Sequence, residues 1–138
     1  MFVRYQATGP NRRGMRVGVF ALVNGLAARG LLTADQEAFR RRTNDWYNDN
    51  LIDPGRLDPG VFDRAVYPVA ACWFRSGSAR LLERVSGYLD ILDTHGLEWE
   101  RVESEVAPGE ILYADADQIV VAVEPEHRET PAACPARA

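Results

Sequence analysis

The sequence predicts a single α+β domain in the order β-α-α-loop-β-α-β-β, with helices packed on a mostly antiparallel sheet. Three observations carry this reading. Apolar residues recur at helical spacing in three stretches; β-branched and aromatic residues gather in short runs; clusters of Gly, Pro and Asp separate the two. A chain of 138 residues with 46% hydrophobic and 26% charged positions has the size and usage of one globular domain, with enough apolar surface for its own core.

Each element follows from its local pattern. Phe2–Ala7, "FVRYQA", favours a strand and stops at the turn cluster Thr8-Gly9-Pro10-Asn11. From Arg16 to Arg29, Val19, Leu22, Val23 and Leu26 mark one helical face, and Gly30 is placed to end it in a left-handed conformation. Gly18 and Gly25 weaken that helix by about 1 kcal/mol each relative to alanine, so they read as points of close packing. Thr33 and Gln36 form a capping box for a second helix that runs to about Asn50 and buries Phe39, Trp46 and Tyr47. Gly30-Leu31-Leu32 joins the two as an αα-hairpin.

The triplets Asp53-Pro54-Gly55 and Asp58-Pro59-Gly60 predict β-turns in a long surface loop, with a short turn of helix at Val61 to Ala65. Pro68–Arg75 reads as a buried strand. Ser76 or Ser78 then caps a third helix that presents Leu81, Leu82, Val85, Leu89 and Leu92 and ends at Gly96. With the half-exposed strand "EWERVES" after it, this suits a right-handed βαβ crossover. Pro108-Gly109 turns the chain into a hairpin, Glu110–Ala114 and Gln118–Val123, around an Asp-rich turn. The domain is expected to span residues 1–125, with 126–138 a disordered tail of no periodicity.

Composition narrows the partners. A net charge of −4 and a pI near 5.2 give no broad positive field for nucleic acid. Every basic residue is arginine, so no lysine is present to form a Schiff base or a P-loop phosphate contact. Two cysteines, Cys72 and Cys134, make no disulfide framework, which fits a reducing compartment. With no apolar leader and no membrane-length run, the expected location is the cytoplasm.

Four pieces of the chain also carry a resemblance: "VRYQ", "GVFALVNGLAARGLLTADQ", "CWFR" and "PGEILYADADQIVVAVEP". Together they resemble a family of small uncharacterised bacterial proteins, over nearly the whole of Phe2 to Pro125. The last piece is similar to the family's signature of Pro-Gly, tyrosine, an acidic pair, glutamine and valines, except that Ala114 stands where an acidic residue usually follows Tyr113. The resemblance implies no activity.

Chemistry must therefore be sought residue by residue. Asp115 and Asp117 lie between two short strands, where carboxylates bond backbone N–H groups to make a turn; the spacing matches no calcium loop, and no metal is expected. Gln118 heads an apolar strand and either reads a ligand or ties the hairpin to a neighbour. Arg4 and Arg75 lie beside aromatics, Phe2 and Tyr5 in one case, Trp73 and Phe74 in the other. With Tyr113 they would line an anion or nucleotide pocket, unless each pairs with a carboxylate such as Asp115 or Glu103. Cys72 sits among apolar residues as an inert thiol rather than a partner for His95 or His127. Arg40-Arg41-Arg42 fans around its helix as a solvated face.

The expected function is thus a non-catalytic binding or regulatory module for a protein partner or a small anionic ligand, without a cofactor. Its candidate ligand-binding residues are Arg4, Arg75, Trp73, Tyr113 and Gln118. The alternative is a nucleotide-dependent transferase, ADP-ribosyltransferase-like in layout, with Arg4 on the first strand and Glu110 as its acid. Convergence of Arg4, Tyr113 and Glu110 on one pocket separates the two readings.

Overall fold

A computed structural model describes residues 1–57 and 70–126. Strands β1 (Phe2–Ala7), β2 (Ala70–Arg75), β3 (Trp99–Ser104), β4 (Glu110–Ala114) and β5 (Gln118–Ala122) form a five-stranded sheet in the order β3-β1-β2-β5-β4. Every neighbouring pair is antiparallel. The N-terminal strand lies inside the sheet, and the two edges are β3 and β4. Because β2 and β3 both run antiparallel to β1, they run parallel to each other with β1 between them. The crossover the sequence predicts therefore spans an intervening strand. β5 is buried from Gln118 to Val121, which is why "QIVV" shows no apolar-polar alternation.

Helices α1 (Val19–Ala28) and α2 (Ala34–Asn50) form the expected hairpin. The N–H of Leu31 reaches the carbonyl of Leu26 and that of Gly30 reaches Ala27, while Gly30 takes φ +68°. A side chain there would be strained, so the glycine ends the helix. Thr33 and Gln36 make both bonds of the capping box. Glu37 holds Arg40 at 2.7 Å and Arg41 at 2.9 Å, which pulls its carboxyl down to about 2. Arg40 also bonds Asn24, so the basic triplet is not wholly solvated.

The next segments depart from expectation. Pro54–Leu57 forms a one-turn helix, α3, instead of a β-turn, and the Asp53 side chain accepts the N–H of Gly55 at its start. The second Asp-Pro-Gly triplet, the Val61–Ala65 turn and residues Pro68 and Val69 lie outside the described residues. The third helix divides into α4 (Ala79–Leu82) and α5 (Val85–Thr94). The Ser86 hydroxyl donates back to the Glu83 carbonyl at 3.3 Å, where it competes with the backbone. Arg84 stacks on Trp46 at 3.9 Å beside the break. Ser78 occupies the N-cap position of α4, but its hydroxyl donates to Asp117 instead.

The core fills the space between the helices and one sheet face. Phe20, Tyr47, Phe74 and Tyr88 meet there, mostly edge to face. Of the two glycines read as close-packing points, Gly18 lies against the Arg4 guanidinium and Gly25 faces open space. At the C-terminal end of the described residues, Glu126 accepts two bonds from the Arg16 guanidinium and donates its N–H to the Gly14 carbonyl. The remaining tail, including His127 and Cys134, lies outside the described residues. No helix among the described residues is long and apolar enough to cross a membrane.

Candidate functional site

The site begins with an irregularity in the sheet. β1 pairs with β3 along its whole length, from Phe2↔Ser104 to Ala7↔Trp99. On its other side it pairs with β2 only at Phe2↔Arg75 and Val3↔Phe74. Beyond Val3, the segment Val17–Gly18 takes over as the neighbour of β1. It accepts the N–H of Ala7 at 2.8 Å and bridges Gln6. This leaves a wedge between β1 and β2.

The Arg4 side chain occupies the wedge. One terminal nitrogen donates to the Cys72 carbonyl at 2.8 Å, the other to the Arg16 carbonyl at 3.0 Å, and Nε donates to the Gln6 carboxamide at 3.0 Å. A guanidinium thus stands in for ladder hydrogen bonds that the diverging strands cannot make. Among the described residues no carboxylate pairs with it, contrary to the expected partners Asp115 and Glu103. Burial lowers its pKa from the ordinary value, opposed by the neighbouring Cys72. Arginine remains charged nonetheless.

Cavities flank Arg4 on both faces of the sheet. On the helix side a cavity of about 400 Å³ lies between α1, α2 and the strands. Its walls include Phe20, Tyr47, Leu51 and Phe74, with Arg4 and Cys72 in the sheet and Asn24, Asn44 and Asn48 on the helices. On the opposite face a smaller space of about 180 Å³ is lined by Arg4, Trp73, Met15 and Glu126. Gly18, which precedes α1, is where a β-carbon would touch the guanidinium, at 3.4 Å from its nearest nitrogen.

The polar groups around the larger cavity are orderly. Asn44 accepts the Tyr88 hydroxyl and donates to Asn24 at 3.1 Å. The Tyr47 hydroxyl donates to the Leu81 carbonyl, and burial raises the pKa of both tyrosines far above the ordinary value. Burial also pushes the Cys72 thiol up to about 11, so it is protonated at neutral pH; its Sγ lies 3.1 Å from the Gln118 carboxamide oxygen. His95 is bonded instead to Gln36 at the start of α2, so no thiol–imidazole pair forms among the described residues.

The five residues singled out from the sequence divide between two places. Arg4 and Trp73 share the smaller space. Arg75, Tyr113 and Gln118 converge on Asp115 in the hairpin. Arg75 donates to the Asp115 carbonyl at 2.7 Å while lying over the Phe2 ring, and the Tyr113 hydroxyl donates to the Asp115 carboxylate at 2.7 Å. Gln118 donates its N–H to the same carboxylate at 2.9 Å and its side chain to the Ile52 carbonyl at 2.7 Å. These groups bind the hairpin to β2 and to the chain after α2. Glu110 is exposed on the edge strand β4, with β5 and β2 between it and β1, so Arg4, Tyr113 and Glu110 line no common cavity among the described residues. Asn44 and Asn48, four apart on one helix face, had only that spacing to mark them.

Asp115 sets an expected acid response. Burial alone would raise its pKa, but bonds from Tyr113, the N–H groups of Asp117 and Gln118, and the Gln118 side chain outweigh burial and lower it. An unfolded aspartate titrates near about 3.9, so the stabilisation is present above that value and is lost as pH falls through the lower folded one. Asp115→Asn should reduce stability at pH 7 and flatten part of the acid limb in urea titrations from pH 7 to 2. An acid limb identical to wild type would show that the charge contributes nothing.

No protein-family model, curated protein or solved structure matches this chain.

Proposed function

We propose that the chain is a non-catalytic binding module that receives a small ligand between the helical hairpin and the sheet. The observation that carries this reading is the cavity of about 400 Å³ beside Arg4, with aromatic and aliphatic walls and a few polar groups in its lining. Pockets for small molecules have this size and this balance of apolar wall to polar anchor. The lining favours binding over chemistry. Its thiol is protonated, its buried tyrosine hydroxyl is tied to a carbonyl, and among the described residues no carboxylate or histidine lines it.

Fragment screening by ¹H–¹⁵N NMR tests the reading, with Leu51→Trp as the variant that fills the space. Binders should shift amides at Phe20, Asn24, Tyr47 and Phe74 together, and Leu51→Trp should weaken them at least about tenfold through overpacking. Shifts scattered over the surface, or binding indifferent to Leu51→Trp, would remove the cavity as the site.

A further inference from the structure

We infer that the ligand carries one negative charge, a carboxylate set against Arg4, on an apolar body that occupies the aromatic part of the cavity. This rests on the small-ligand reading above and adds the chemical class.

The charge balance around the wedge points to it. Among the described residues, Arg4 is the one charged side chain lining the larger cavity, and its acceptors are two carbonyls and a carboxamide, all neutral. Arg4 is half-buried, and a charge drawn out of water is ordinarily paired, because leaving it without a counter-charge is costly. The nearby acids are engaged elsewhere. Glu126 is bonded to Arg16 at 2.8 Å, and Glu100 lies 3.3 Å from Arg16 while accepting the far end of Gln6. The positive charge at the floor of the cavity therefore lacks a complement within reach of the described chain.

The stoichiometry of donors fits a carboxylate. A guanidinium has five N–H groups; the Gln6, Cys72 and Arg16 bonds use three, which leaves one on each terminal nitrogen. Two oxygens of one carboxylate can take these two donors, and the resulting charge-assisted bonds are stronger than those to neutral acceptors. A second negative charge on the ligand would find no second cation among the described residues of the lining. Phe20, Tyr47, Leu51 and Phe74 surround the space left for the body, so an aromatic or short aliphatic acid fits better than a sugar or a polyanion.

Matched probes test the class: 2-naphthoate, 2-naphthamide and 2-naphthyl phosphate, titrated by ¹H–¹⁵N NMR into the full chain. Naphthoate should bind about tenfold more tightly than the amide, and the phosphate should gain nothing over naphthoate. In Arg4→Gln the ratio of naphthoate to naphthamide affinity should fall to about one; in Arg4→Lys, which retains the charge, part of the advantage should persist. Equal binding of naphthoate and naphthamide to wild type would overturn the charge inference and leave the cavity reading standing. Tighter binding of the phosphate would overturn the single charge. If no probe shifts the cavity amides, the cavity reading itself fails. Should Arg4→Gln not fold, the wild-type ratios and Arg4→Lys decide.

Discussion

Tyr88→Ala is expected to destabilise the fold by about 3–5 kcal/mol, the range for removing a large aromatic from a packed core. The Tyr88 ring is fully buried, with Phe20 at 4.8 Å, Phe39 at 5.3 Å and Tyr47 at 6.2 Å between centroids. It joins α5 to both helices of the hairpin, and its hydroxyl donates to Asn44. Collapse into the vacated space is hindered because Gly87 already lets Phe39 approach closely: a β-carbon at Gly87 would lie 2.2 Å from that ring. Tyr88→Phe keeps the ring and loses one hydrogen bond, so it should cost about 1 kcal/mol. For a domain of ordinary stability the alanine variant loses a large fraction of the total. Urea unfolding should show a lower midpoint with an unchanged slope. A phenylalanine variant as damaged as the alanine one would mean that the hydroxyl, not the ring, holds the core.

Arg4→Met should cost about 2–4 kcal/mol, for a different reason. Methionine fills much of the same space, so packing changes little, but the Cys72 and Arg16 carbonyls lose their donors inside the wedge. A buried acceptor left unpaired costs about 1–3 kcal/mol, and these two, being half-buried, fall toward the lower end. Relief from desolvating a charge without a carboxylate acts in the opposite direction, which holds the net below the sum. Arg4→Lys should recover only part of the loss, since one ammonium on a flexible stem does not reproduce a planar fork between two carbonyls. Amide exchange in β1 and β2 locates the effect: protection should fall at the wedge before it falls in β5. A methionine variant as stable as wild type would show that water replaces the guanidinium without penalty.

The parts of the fold that the sequence disclosed are those fixed locally. Thr33 and Gln36 sit three apart, Gly30 follows a helical period, and Asp115 precedes the two N–H groups it accepts, so each motif is contained in a few consecutive residues. Strand order is not local. Nothing in "FVRYQA" states that it pairs with β3 along its whole length and with β2 at only two positions, and that order decides which side chains meet. Arg4 was legible as a charge among aromatics. Its company was not, because Arg75 and Tyr113 turn to Asp115 while Asn24 and Asn44 arrive from helices whose docking no short motif encodes. The division of the third helix escaped for a similar reason: Ser86 is an ordinary helix residue until its hydroxyl takes the Glu83 carbonyl.

The interior position of β1 has a consequence for the growing chain. β1 finds two pairing positions with β2 and six with β3, which follows it only after the helical hairpin, β2 and α5. Closing such distant contacts carries a high entropic cost, and topologies dominated by them fold slowly. During synthesis the helical hairpin has its local bonds early, while Phe2–Ala7 waits for Trp99–Ser104 with one side of its backbone unpaired. A ribosome-bound chain ending before β3 should therefore hold a formed hairpin beside an open strand, and this interval is when the protein is most exposed to misassociation.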